Sequence, residues 1–338
     1  MEVPACGPLW GRVIAGVTRR IERALVTGGM GFVGSHLCEL LLAEGSEVLI
    51  LDNLVTAAPG TVAEFGNRPN LRVDRQDVTE PITTPGPFDV VFHLASAASP
   101  QDYLRLPIET LRAGSLGTTH ALDVALRDGA RFVLASTSEV YGDPAEHPQR
   151  ESYWGHVNPI GPRSVYDEAK RYAEALTNAY RGHRGANTGI ARIFNTYGPR
   201  MRPDDGRMVP TFIRQALAGL PMTVTGDGAQ TRSLCYVADT ARGLLALGRS
   251  DHPGPINLGN PVELSVGDLA AEVRSAAGSE SPVTFVEAAE DDPRRRCPDI
   301  TLARRQLSWR PEVALADGLR RTIDWFEENT GIRAAHPA

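Results

Sequence analysis

The stretch A-L-V-T-G-G-M-G-F-V-G-S-H-L, residues 24–37, limits the fold more than any other part of the chain. A short apolar run leads straight into Gly28, Gly31 and Gly34, and an apolar helical pattern follows at once. That order is a strand, a tight turn and a helix N-terminus, where free backbone N–H groups and the helix dipole attract an anion. Glycine spacing alone is weak evidence, because tight strand-to-helix turns use glycine in any case. The context has to come from the rest of the chain.

From Ala24 to about Ile193 short apolar runs alternate with helical patterns. The runs at 24–27, 47–52, 71–74, 89–94, 131–136 and 188–194 are predicted strands, with helices near 33–44, 107–128 and 165–183. Nearly all-apolar strands separated by helices indicate an α/β protein whose parallel sheet is covered on both faces. Beyond Thr196 the texture changes, as G-P-R-M-R-P-D-D-G and L-P-M-T-V-T-G-D-G interrupt shorter elements. The expected organisation is a flexible arm at 1–20, a dinucleotide-binding domain at 21–195 and a smaller substrate-binding lobe at 196–330. Segments near 235–262 are expected to return to the first domain, and 331–338 to be loose.

Composition excludes several function classes. The 338 residues contain no apolar run approaching the roughly 20 needed to cross a bilayer, so no membrane role is expected. Arg19-Arg20 is followed by the glycine turn rather than by a secretory core, which points to a cytoplasmic protein. The net charge of -6 argues against nucleic acid as a partner. Cys6, Cys38, Cys235 and Cys297 are scattered without C-x-x-C or H-E-x-x-H spacing, so reduced thiols and no metal site are expected. Among 35 basic residues the only lysine is Lys170. A lone survivor must sit somewhere by chance, yet a compact ammonium also does what a planar guanidinium cannot.

Asp52 ends the second predicted strand at the distance where a carboxylate grips an adenosine ribose. Its charge would repel a 2'-phosphate, and Asn53 and Leu54 offer no compensating base, so NAD rather than NADP is expected. Asp77, after the third strand, is placed either to hold the adenine or to cap a helix.

Tyr166 and Lys170 lie at i and i+4 of a predicted helix and project from one face. A tyrosine is a poor base at neutral pH, and bringing its pKa near 7 takes about 4 kcal/mol of preferential phenolate stabilisation. A neighbouring ammonium and a cationic nicotinamide ring are expected to supply it. Thr137 and Ser138, at the carboxyl end of the fifth strand, face the same crevice or cap the following turn.

Together T-G-G-M-G-F-V-G-S-H, S-T-S-E-V-Y-G and Y-x-x-x-K resemble the extended short-chain dehydrogenase/reductase superfamily of nucleotide-sugar enzymes. Within it, S-T-S-E-V-Y-G-D-P-A-E-H-P-Q, Y-W-G-H-V-N-P-I-G-P-R, A-R-I-F-N-T-Y-G-P-R-M, G-D-G-A-Q-T-R-S and D-D-P-R-R-R-C-P-D-I resemble the UDP-glucuronate decarboxylases, from about Ala24 to Phe326. The resemblance implies a Rossmann-type doubly wound sheet and a UDP-sugar substrate. It implies that Tyr166 takes the 4-hydroxyl proton as hydride passes from C4 to NAD, and that carbon dioxide leaves the 4-ketone before hydride returns. Lys170 would tune Tyr166 and hold the nicotinamide ribose, Thr137 would assist proton transfer, and Ser138 would share the site. Glu139 and Arg296 would position or protonate the sugar during carbon dioxide loss. Phe32, Val33, Asn53, Val78 and Leu94 would line the cofactor, and Tyr103, Arg112, Asn195 and Arg232 the substrate. A loop salt bridge competes with that role for Arg232, and a turn side chain for Asn195. A homodimer through the helices at 107–128 and 165–183 is also implied.

The chain departs from the pattern in places. T-L-R-A-G at 110–114 stands where the family has T-L-K-T-N, so Arg112 replaces a lysine and Ala113 and Gly114 lose polar groups. V-Y-D-E-A-K and M-T-V-T-G likewise replace C-Y-D-E-G-K and L-T-V-Y-G. A related 4,6-dehydratase would read T-D-E-V-Y-G, with an acid where Ser138 stands. A 4-epimerase would need the keto sugar to rotate, and Glu139 with R-R-R-C-P-D-I favours decarboxylation instead. A non-catalytic dinucleotide-sensing scaffold would keep the glycines without needing Tyr166, Lys170 and Thr137 together.

Overall fold

Apolar residues recur on both sides of the strands at 23–27, 47–52, 90–93 and 131–137, so each of these needs a helix layer above and below it. The computed structural model of this protein describes residues 19–58, 60, 61, 65, 68–287 and 295–332. The expectations for Cys6, for residues 291–294 of the D-D-P-R-R-R-C-P-D-I segment and for most of both ends lie outside the described residues.

The central strands are β1 (Arg23–Thr27), β2 (Glu47–Asp52), β3 (Leu71–Arg75), β4 (Val90–His93), β5 (Arg131–Thr137), β6 (Thr188–Ile193) and a late strand, Ile256–Leu258. They pair in parallel in the order late strand, β6, β5, β4, β1, β2, β3. The direction of winding reverses between β1 and β4, and a crevice opens there beyond the carboxyl ends. This is the doubly wound, Rossmann-type sheet anticipated from the sequence.

Strand periodicity sorts the core. Ala24, Val26, Val48 and Ile50 face α1 (Phe32–Ala43) and the late helix Val237–Arg249, and share one apolar cluster with Leu37, Leu41, Ala241 and Leu244. Leu25, Leu49 and Leu51 point the other way and pack with Leu122 and Ala173.

That second face differs from expectation. Instead of one helix over 107–128 there are α2 (Pro100–Arg105), α3 (Pro107–Arg112), a π-helical turn at Ala113–Gly117 and α4 (Thr118–Asp128). The cause is close packing on α5 (Ser164–Arg184): a Cβ on Gly114 would lie 2.8 Å from that of Ala169. The widened turn is stitched by hydroxyls, with Thr118 donating to the Gly114 carbonyl at 2.9 Å and Ser115 to that of Leu111 at 2.8 Å.

After β7 (Thr196–Tyr197) and α6 (Met208–Leu217), β8 (Met222–Thr225) and β9 (Thr231–Ser233) begin smaller sheets. The chain then passes through β10 (Cys235–Tyr236), which pairs β7, and α7 (Val237–Arg249) before β11 (Ile256–Leu258) completes the central sheet. β12 (Glu263–Ser265) pairs β9 antiparallel, and α8 (Val266–Ala276) leads to β13 (Val283–Val286), which pairs β8. Finally β14 (Arg295–Arg296) pairs β9 in parallel, ahead of α9 (Thr301–Leu307) and α10 (Leu315–Asn329). A separate apolar cluster of Phe212, Ile213, Met222, Leu269 and Phe326 holds this second part together.

Candidate active site

One cleft of about 970 Å³ runs from the glycine turn to the second part of the chain. Every candidate site residue read from the sequence lies along it. The cofactor end has Gly28, Gly31, Phe32, Val33 and Gly34, then Asp52, Asn53, Asp77, Val78 and Leu94. Thr137, Ser138, Glu139, Tyr166 and Lys170 sit at the middle, with Tyr103, Arg112, Asn195, Arg232 and Arg296 around them.

The cofactor end suits a dinucleotide. Gly28 has φ +71°, and a Cβ there would meet the Ala95 backbone nitrogen at 2.7 Å. At Gly34 a Cβ would lie 2.2 Å from the Gly28 carbonyl oxygen, so helix and turn approach as closely as backbone allows. The N-terminus of α1 is thereby left open to the cleft, as a pyrophosphate requires. Asp52 accepts from the backbone N–H of Met30 at 3.0 Å and of Leu54 at 2.8 Å. Each oxygen keeps a further acceptor position, which fits the two ribose hydroxyls. Burial raises the Asp52 pKa, and these two N–H groups oppose the rise. Asp77 caps a turn rather than a helix: its Oδ1 accepts from the backbone and hydroxyl of Thr79 while Oδ2 accepts from Asn53 at 2.9 Å.

At the middle, β5 ends in Thr137, whose hydroxyl accepts from the Glu139 backbone N–H at 3.2 Å and shares a hydrogen bond with Tyr166. The capping and catalytic readings of Thr137 therefore describe one arrangement. The Tyr166 ring lies against that of Tyr103, centroids 5.3 Å apart and planes within 7°. Burial, and then the charge of Glu139, raise the Tyr166 pKa; the Thr137 hydrogen bond and Arg207 only partly oppose them. Lys170 stands 5.8 Å from the centre of the Tyr166 ring and donates to the Ala135 carbonyl at 2.9 Å. Burial depresses its own pKa to about 8, against the charge of Glu174 one turn on. The chain's own groups thus leave Tyr166 harder to ionise than sequence reasoning expected, because burial and the Glu139 charge outweigh the Thr137 hydrogen bond and Arg207. Charge on a bound nicotinamide is the contribution still to be added.

Glu139 is the electrostatic centre. Arg296 grips both its carboxylate oxygens, and Arg163 Nη2 donates to Oε2 at 2.7 Å. Burial alone would raise the Glu139 pKa, but Arg296 and Arg163 outweigh it and hold the carboxyl well below its usual range. Glu139 is an anion here rather than a ready acid. Asp167, buried beside it, is pushed up by burial and by the Glu139 charge. Arg232 and Arg296 are register partners on β9 and β14, so a strand ladder sets two guanidiniums side by side. Arg112 is exposed at the cleft lip, and the Asn195 carbonyl accepts from Cys235 N–H at 2.9 Å.

Sequence reasoning missed Arg163. It stands three residues before Tyr166 inside Y-W-G-H-V-N-P-I-G-P-R, so one helical turn was the available signal. It also missed Arg207, whose guanidinium lies 5.7 Å over the Phe32 ring, and Gln215, which exchanges two hydrogen bonds with Thr223 at the far end.

Residues 24–259 match the NAD dependent epimerase/dehydratase family. UDP-glucuronic acid decarboxylase 1 of Arabidopsis thaliana is 48% identical over 316 residues, covering 94% of this chain and 72% of that protein. Among solved structures, UDP-glucose 4-epimerase of Thermotoga maritima superposes with a TM-score of 0.84 at 26% identity, covering 91% of this chain and 99% of that one. The UDP-glucuronic acid 4-epimerase of Bacillus cereus, solved with UDP-glucuronic acid and NAD, gives 0.79 at 27% identity, covering 90% and 99%.

Proposed function

The chain belongs to the NAD dependent epimerase/dehydratase family, and we propose that within it the protein is an NAD-dependent decarboxylase converting UDP-glucuronate to UDP-xylose. The observation that carries this reading is the Glu139–Arg296 pair, two residues beyond Thr137 and its hydrogen bond to Tyr166. A cation beside the redox residues suits a sugar that bears a carboxylate, and no acid stands at Ser138 to expel water.

NAD, which the glycine turn, Asp52 and Lys170 would hold, would supply the hydride acceptor and donor for C4 of the sugar. Tyr166 removes the 4-hydroxyl proton as the ketone forms, with Thr137 orienting that hydroxyl. The C5–C6 bond then breaks, carbon dioxide leaves, and its electron pair passes into the 4-carbonyl to give an enolate, which takes a proton from solvent water at C5. Tyr166 gives its proton back to O4 as the alcohol is restored. Lys170 and Asp52 serve by holding the two riboses, and the open N-terminus of α1 by holding the pyrophosphate.

Incubating the protein with UDP-glucuronate and NAD should release carbon dioxide and yield a UDP-pentose by mass. A product of unchanged mass would point to epimerisation instead.

A homodimer belongs to the same proposal. Leu104, Ile108, Leu111 and Leu116, with Tyr172 on α5, leave apolar surface exposed along the helices named above. Sedimentation equilibrium is expected to report twice the chain mass, and a monomer at working concentration would refute this assembly.

A further inference from the structure

Four charged or titratable groups converge beyond Tyr166, and their charges balance only loosely. Arg163 and Arg296 both hold the single carboxylate of Glu139. Asp167, the other carboxyl in the cluster, is buried with its Oδ1 lacking a hydrogen-bond partner among the described residues. Burial and the Glu139 charge raise the Asp167 pKa, so it balances the second guanidinium less firmly than an ordinary carboxylate would. The Arg296 side chain is 4% exposed, and its Nε has no hydrogen-bond partner among the described residues. Arg163 hydrogen-bonds Glu139 through its side chain and lines the cleft.

The position of Arg163 is a second, independent sign. It is the N-cap of α5 and gives no side-chain cap to the helix. A cation there opposes the helix dipole, which favours acidic groups at that end. Helix stability therefore does not account for an arginine at this place.

Substrate geometry supplies the account. Tyr166 addresses the hydroxyl on C4, and the carboxyl carbon C6 is two bonds further along the same sugar. Arg163 lies one helical turn before Tyr166. On the decarboxylase reading above, on which this inference rests, we propose that Arg163 is the second guanidinium that reads the sugar carboxylate, and that Glu139 fills its place between turnovers. A uronate brings a further negative charge and draws Arg163 and Arg296 partly away from Glu139. A neutral sugar, whether UDP-glucose or the UDP-xylose product, gives no cause to open that clamp. Arg163 is thus a specificity-determining residue that favours the acidic substrate over its own product.

The test measures affinity by calorimetry on the NAD-loaded protein, for UDP-glucuronate and for UDP-xylose, in wild type, Arg163→Met and Arg163→Lys. Arg163→Met is expected to weaken UDP-glucuronate by about ten-fold or more with UDP-xylose changed less than about two-fold. Arg163→Lys, which keeps charge without the fork, should recover part of the loss. Equal losses for both ligands would show a merely structural role and overturn the proposal, as would an unchanged ratio. An unfolded Arg163→Met leaves the decision to Arg163→Lys, whose ligand ratio must still fall. Carbon dioxide release is scored separately in the wild type. Its absence would defeat the decarboxylase reading, while the affinity ratio would still decide for or against Arg163.

Discussion

Replacing Tyr166 by phenylalanine is expected to lower kcat by about a thousand-fold while NAD stays bound. The substitution removes one oxygen and little else. The ring is buried and lies flat against Tyr103, and phenylalanine keeps that contact. What disappears is the group that hydrogen-bonds Thr137 and would take the 4-hydroxyl proton. Water cannot readily substitute, because Tyr166 is only 7% exposed. Turnover of UDP-glucuronate, followed beside the NAD content after gel filtration, checks both halves of the expectation. Activity within ten-fold of wild type would remove Tyr166 from proton transfer; loss of NAD would make it a binding residue instead.

The second large effect belongs to Glu139→Gln. An amide is close to isosteric with the carboxylate but cannot neutralise Arg163 and Arg296. The two guanidiniums then face the sugar carboxylate without a competitor, so UDP-glucuronate should bind more tightly. A carboxylate stabilised in that way is harder to lose as carbon dioxide, since only interactions stronger in the transition state speed the step. A lower KM with kcat reduced by about a hundred-fold is expected, together with NADH absorbance that builds up and persists. Oxidation proceeds and the ketone waits. Unchanged NADH absorbance alongside slow turnover would place Glu139 in the hydride step instead.

These expectations rest on features that differ in how openly the chain displays them. The expected strand at 131–136 is Arg131–Thr137 in the structure, and that at 47–52 is reproduced to the residue. Fully buried parallel strands write themselves as unbroken apolar runs, so the doubly wound fold was legible early. The approach of Tyr166 and Lys170 was legible for a local reason, since one helical turn is a rule of spacing. The clamp on Glu139 was not. Its partners lie 24 and 157 positions away, and no periodicity links them. The interruption at Ala113–Gly117 was hidden too, because an apolar helical pattern runs through it. Only the small residues of A-G-S-L-G mark where Ala169 comes close. Desolvation of Tyr166 was equally invisible, because burial belongs to the assembled cleft and not to the Y-x-x-x-K spacing.

The residues proposed to move hydride and the one proposed to judge the ketone hang on different pieces of backbone. Thr137 and Lys170 are fixed by the central sheet and the long helix on its face, whereas Arg296 is carried by β14, two residues paired with β9. A slip of that short ladder by one residue would offer Arg295 or Cys297 in its place. For inheritance this is a loose coupling. A lineage that altered only the small ribbon would keep an intact redox engine and acquire a different fate for the same keto sugar, so new chemistries can arise here without rebuilding the sheet.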